Sequence, residues 1–337
     1  MYCSILSSVV AAVALLAGPA LAQTYPDPLG CAGDCFTHDP FVTKRADGTY
    51  FLFSTLDLIS IRTATSLGGP WTEIGSVLEY ASVANMTGND VLWAPDVSLV
   101  GDLYYLLYAV STSGSQDSAI GYATSTTLDP GSWTDHGALI SSSSSTPYNA
   151  IDPTLARGLG DQAGQFFLSW GSYWQDIYQC AVTVDGNDAH IGLSDSPTQI
   201  AYNTPDAGSY MEGSFIYPRG GYYYLFLSVG ECCTYGTPTT PPATGTPYHV
   251  NVCRSTSASG PYIDKNGTAC LGGGGTTILA GHDDVYAPGG EGVFNDPTYG
   301  DVFYYHYLNT SIGLDYSQSL FGWNTINWSV DGWLSLE

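Results

Sequence analysis

The stretch Met211-Glu212-Gly213-Ser214-Phe215-Ile216-Tyr217, a Pro-Arg-Gly-Gly turn, and then Tyr222-Tyr223-Tyr224-Leu225-Phe226-Leu227-Ser228 decides the fold. A carboxylate stands at the mouth of a short apolar strand, a tight turn follows, and an aromatic strand returns. Runs of four to eight β-branched and aromatic residues bounded by Gly and Pro are strand signals. Four other stretches repeat the plan, led by Asp39, Asp96, Asp152 and Glu291. Third strands follow in the same order, such as Ile59 to Ala64, Ala119 to Ser125 and Ile177 to Val184. Most units then close on Gly and an aromatic, as in Gly69-Pro70-Trp71 and Gly322-Trp323.

The leading acids are spaced by 57, 56, 60 and 79 residues, the long last interval holding a Thr/Pro-rich loop at 234–247 and a Gly run at 272–275. A repeat of about four strands with this period is a propeller blade. Five units predict an all-β, five-bladed β-propeller. A β-sandwich is the rival, but it does not call for five acid-led copies. In a propeller the innermost strand of each blade lines the central channel. The five acids are therefore expected to converge on one carboxylate-rich cup.

Composition agrees. The chain of 337 residues is 13% aromatic and only 11% charged, with 40 Gly, as suits a turn-rich all-β protein. Residues 1–22 read as a secretory signal: Ile5 to Leu16 is apolar, and Ala20-Leu21-Ala22 precedes Gln23 as a small-residue cleavage site. Residues 23–337 are then one propeller domain, secreted and extracellular. Seven cysteines remain after the signal, and in a secreted chain most should pair. Cys31–Cys35 and Cys253–Cys270 are plausible local pairs and Cys232–Cys233 a vicinal one, leaving Cys180 over. Asn85, Asn266, Asn309 and Asn327 head glycosylation sequons.

The net charge of −24, from 31 acidic and 7 basic residues, excludes nucleic acid, whose phosphates need Lys and Arg. No run beyond the signal is apolar enough to span a membrane. A neutral ligand and a monomeric protein are the expectation.

Acids clustered in a cup admit three readings: strand-end structure, cation binding, or acid/base chemistry on a glycosidic bond. The copies are not equivalent. His38-Asp39-Pro40, Trp93-Ala94-Pro95-Asp96, Asn149-Ala150-Ile151-Asp152-Pro153 and Met211-Glu212-Gly213 carry different polar and aromatic neighbours. Together with Gly114 to Gly121, Gly171-Ser172-Tyr173-Trp174, Cys232-Cys233, Tyr304-Tyr305-His306-Tyr307 and Phe321 to Asn324, this set resembles glycoside hydrolase family 43. Within that family it is most similar to the fungal secreted endo-1,5-α-L-arabinanases.

The resemblance covers essentially the whole chain after the signal, and it implies roles. Asp39 matches the general base, Glu212 the general acid, and Asp152 the carboxylate that tunes and orients that acid. The family inverts in one step, so base and acid should stand about 6.5–9.5 Å apart to admit a water. Physical chemistry supports the division: burial and like charge should hold Glu212 protonated, while Asp39 stays ionised beside a polar neighbour such as His38. The resemblance further implies sugar contacts from His38, Trp93, Asn149, Ser172, Tyr173 and Trp174, although packing is the commoner fate of aromatics in a blade. It also implies a hydrated calcium or sodium ion on His306, which by composition alone would read as a core residue. No organic cofactor is implied.

Two departures bear on sugar subsites: Ser113 where relatives tend to carry an aromatic, and Ala287 and Glu291 where they tend to carry Gly and Gln or His. The implied substrate is arabinan, the neutral side chain of pectin. The rivals are an exo-acting arabinofuranosidase or β-xylosidase of the same family, with loop 231–249 blocking one end of the cleft, and a non-catalytic sugar-binding propeller.

Overall fold

The computed structural model describes residues 24–55, 57–203, 210–233 and 247–337, so the expected signal segment and most of the Thr/Pro-rich loop lie outside the described residues. The described strands form five separate sheets arranged as the blades of a propeller. Blade one holds β1 (Phe41–Lys44), β2 (Tyr50–Ser54), β3 (Ser60–Ala64) and β4 (Thr72–Ser76). Blade two holds β5 (Leu92–Val100), β6 (Leu103–Val110), β7 (Ser118–Ser125) and β8 (Thr134–Ser142). Blade three holds β9 (Thr154–Arg157), β10 (Phe166–Trp170), β11 (Ile177–Asp185), β12 (His190–Leu193) and β13 (Thr198–Ala201). Blade four holds β14 (Met211–Arg219), β15 (Tyr222–Val229), β16 (His249–Ser255) and β17 (Thr276–Leu279). Blade five holds β18 (Val285–Asp296), β19 (Gly300–Asn309), β20 (Leu320–Trp328) and β21 (Leu334–Leu336).

Each blade is an antiparallel meander in chain order, apart from blade three, where β12 and β13 both pair with β11. The first strands contact one another in sequence, β1 to β5 to β9 to β14 to β18 and back to β1, so they form the inner ring. Second strands are buried almost throughout, including Phe51, Leu106, Leu168, Phe226 and Phe303. They carry the continuous aromatic and aliphatic runs of the sequence because both of their faces pack against neighbouring blades. The ring is closed by the segment before β1. Leu29 and Thr37 donate to Trp323 and Ser319, Phe321 donates to Cys35, and Gly33 pairs with Trp71.

Disulfides join Cys31–Cys35, Cys232–Cys233 and Cys253–Cys270, and Cys180 is free and buried on β11. Among the described residues, helix occurs only as three-residue 3₁₀ turns.

The acids do not all stand at strand mouths. Asp39 and Asp152 precede their strands, and Glu212 is the second residue of β14, but Asp96 and Glu291 lie inside β5 and β18. The register slips between Trp93 and Asp96 and again between Gly289 and Gly292. Such bulges re-aim a side chain and let pairing extend past it.

Candidate active site

All five leading acids line one cavity of about 670 Å³ at the channel mouth. His38, Trp93, Asn149, Ser172, Tyr173 and Trp174 line it too. His306 lies behind the wall: it is 2% exposed and bonds to Asp39.

Asp39 sits at φ 44°, a left-handed conformation that Asp tolerates better than most residues. Its backbone N–H donates to His306 Nδ1 at 3.1 Å. Its Oδ2 accepts from Thr55 Oγ1 at 2.7 Å, and that same hydroxyl accepts from the Ala94 N–H at 2.7 Å. Oδ1 lies 3.5 Å from His38 Nε2 and 3.4 Å from His306 Nδ1. Burial alone would raise the Asp39 carboxyl. The His38 imidazole, the contacts with His306 and the Thr55 hydroxyl outweigh it and hold the group well below its ordinary range. His38 moves the other way, pushed down to about 3 chiefly by burial, so it is neutral at working pH. Gly290 completes the wall at φ 57°, where a Cβ would stand 2.5 Å from His306 Nδ1 and 2.6 Å from Asp39 Oδ1.

Glu212 is 8% exposed. Its Oε2 accepts from Ser172 Oγ at 2.6 Å and its Oε1 from Tyr248 Oη at 2.9 Å. Burial raises its pKa, the two hydroxyls pull it down, and the charge of Asp39 adds to the rise. The net shift favours the protonated acid. Asp152, at φ 55°, accepts the N–H of Gly213 on Oδ2 at 3.1 Å. Burial first, then the charges of Glu212 and Asp39, raise it well above its usual range. The site thus holds one carboxyl kept ionised and two pushed towards protonation, the separation that acid/base chemistry requires.

The remaining two acids tie blades together. Asp96 accepts from Thr154 Oγ1 at 2.9 Å and from the Leu155 N–H at 3.3 Å, and burial raises it to about 7. Glu291 accepts from Ser228 Oγ at 2.5 Å, and burial raises it to about 8. Asp176, which sequence reasoning did not single out, accepts the N–H of Asn203 at 2.7 Å and that of Met211 at 3.4 Å.

Among the expected sugar contacts, Trp174 is the most open, at 44% exposure, while Trp93 is partly buried on β5. Tyr173 stacks on Tyr210 with ring centroids 4.0 Å apart. Asn149 is buried and accepts from Ser142 at 3.4 Å. His38 is sandwiched between His306 at 3.9 Å and Tyr316 at 4.3 Å, with its Nε2 against the sulfurs of Cys232 and Cys233.

Ligand atoms of His38, Cys232 and His306 lie within 4.8 Å of one another. Cys232 is in a disulfide and offers no thiolate. His306 Nε2 is buried without a hydrogen-bond partner. The tautomer decides what that nitrogen offers: with Nδ1 accepting the Asp39 N–H the ring proton sits on Nε2, whereas with Nδ1–H turned to Asp39 Oδ1, 3.4 Å away, Nε2 presents a lone pair that fits a cation otherwise coordinated by water.

Thr55 and Tyr248, which contact the base and the acid, were not read from the sequence. The signal for Thr55 was present: continuing the Phe41–Phe53 register two places outward pairs Asp39 with Thr55.

A five-bladed propeller with carboxyls of opposed protonation in its channel mouth is the architecture of a glycoside hydrolase. The chain belongs to the glycosyl hydrolases family 43, whose family model matches residues 33–334. It is 52% identical over 326 residues to the arabinan endo-1,5-alpha-L-arabinosidase A of Aspergillus niger, covering 96% of this chain and 97% of that one. Among solved structures, it resembles the Cellvibrio cellulosa alpha-L-arabinanase complexed with arabinohexaose, with TM-score 0.77, 28% identity, and 90% and 95% of the two chains covered. It also resembles an exo-1,5-alpha-L-arabinanase from a bovine ruminal metagenomic library, with TM-score 0.78, 29% identity, and 90% and 99% covered.

Proposed function

We propose that this protein is a secreted, monomeric endo-1,5-α-L-arabinanase that hydrolyses the α-1,5 bonds of arabinan by single-step inversion. Asp39 takes a proton from water as the water attacks the anomeric carbon. Glu212 gives its proton to the departing O5 of the neighbouring sugar. Asp152 holds the Gly213 N–H beside the acid, while burial and the charge of Asp39 keep that acid protonated. The Thr55 hydroxyl and the contacts with His306 keep the base ionised. The observation that carries the reading is the meeting of Asp39, Asp152 and Glu212 in one cavity, in a chain about half identical to a fungal endo-arabinanase along nearly its whole length.

Trp93, Tyr173 and Trp174 offer ring faces for furanoses, with Asn149 and Ser172 as polar contacts at the reacting sugar. His306 would hold a hydrated calcium or sodium ion, whose charge would offset the acidic cup.

The fold is shared with exo-acting enzymes, so mode of attack needs its own test. Linear 1,5-α-arabinan digested by the purified protein is expected to give a ladder of oligomers at early times. Release of arabinose alone, or of one short product from the first turnover, would make it exo-acting. Binding of arabinan with no new reducing ends would make it a sugar-binding propeller.

A further inference from the structure

The loop between β10 and β11 reaches Glu212 by an arrangement that packing alone does not require. Ser172 on this loop donates to Glu212 Oε2. Three of the residues that follow, Tyr173, Trp174 and Asp176, have φ of 55°, 49° and 54°. Non-glycine residues seldom adopt this conformation, and a cluster of them persists only where surrounding contacts enforce it.

The contacts here converge on Asp176, which is 3% exposed. Its own N–H donates to Tyr173 O at 2.7 Å and tightens the turn. Its carbonyl lies so close to Gly171 that a Cβ there would stand 2.0 Å away. Its carboxylate accepts the N–H of Asn203 and the N–H of Met211. The carbonyl of Met211 in turn accepts from the Tyr173 N–H at 3.3 Å. Both backbone groups of the residue preceding Glu212 are thus held by one loop, and that loop also supplies the hydroxyl on the Glu212 carboxyl.

We propose that Asp176 is a positioning residue for proton donation, clamping the loop that carries Ser172 to the start of β14 so that Glu212 faces the leaving oxygen. This rests on the reading of Glu212 as the acid. Asp176 touches no substrate in this account and acts through Met211 and Ser172. A carboxylate suits the task because it accepts two N–H groups at once, whereas an amide would set its NH₂ against one of them.

The test uses leaving-group dependence. A 4-nitrophenol departs without a proton, so an enzyme with a misplaced acid fails on the natural bond and keeps its rate on an aryl glycoside. For Asp176→Asn, kcat per folded active site is expected to fall about 10- to 100-fold on linear arabinan but less than about threefold on the 4-nitrophenyl glycoside of 1,5-α-arabinotriose. Asp176→Glu keeps the charge on a longer arm; it should show the same split and serves if the Asn variant does not fold. Equal losses on both substrates would mark a purely structural role and overturn the proposal, as would an unchanged kcat. Glu212→Gln is the control. If it too shows no leaving-group dependence, the acid assignment has failed; if it shows a steep one and the Asp176 variants do not, only this inference has.

Discussion

Thr55 stands directly across the first hairpin from Asp39 and donates its hydroxyl to Oδ2 at 2.7 Å. That bond favours the ionised carboxylate. Without it the Asp39 pKa rises, and the limb on which activity grows with pH moves upward. Thr55→Val should shift the acid limb of kcat/KM to higher pH by about one pH unit, read from a pH–rate profile on linear arabinan. An unmoved acid limb would mean that Asp39 is not the titrating base.

Tyr248 does the same for the acid. Its hydroxyl bonds Glu212 Oε1 and lowers the pKa of that group. Removing it lets burial act with less opposition, so Glu212 keeps its proton to higher pH. Tyr248→Phe is therefore expected to move the alkaline limb, where activity falls as pH rises, upward by about one pH unit. A downward shift would contradict the assignment of Glu212 as the proton donor.

Gly290 admits no side chain. A methyl group there would meet His306 Nδ1 and Asp39 Oδ1 in a backbone conformation already unfavourable to L residues. Gly290→Ala should lower kcat on arabinan at least about 100-fold, because a displacement of the base by about 1 Å carries that cost. Since the clash is at the cup and not in a blade core, the far-UV circular dichroism spectrum should be retained.

Trp93 lies on β5, three residues before Asp96, with a face on the cavity. Loss of a stacked ring costs binding more than chemistry. Trp93→Ala should raise KM about tenfold, the order expected for one aromatic contact, with kcat changed less. A pure kcat effect would place the ring at the reacting atoms instead.

Much of this was legible in the sequence. The recurrence of an acid before a short strand gave the blade count, and propeller geometry then implied that Asp39, Asp152 and Glu212 meet. The unlike neighbours of the acids set them apart from plain strand ends, and the choice of Asp39, Asp152 and Glu212 among the five came from the resemblance to family 43. Asp96 and Glu291 show where such reading stops. They reach the cup from inside β5 and β18 by way of bulges, and no local pattern counts the residues in a bulge. Thr55 was recoverable by extending a regular hairpin register. Tyr248 and Asp176 were not, because Tyr248 precedes β16 after a long insertion and Asp176 acts through backbone groups that any residue would offer.

The account stands or falls on the acid. Reducing-end release from debranched linear arabinan by Glu212→Ala, measured at pH 6 with the protein shown to be folded, should fall at least about 1,000-fold below the parent enzyme, as expected when proton donation to a poor leaving group is lost. Cleavage at or near the parent rate would contradict it.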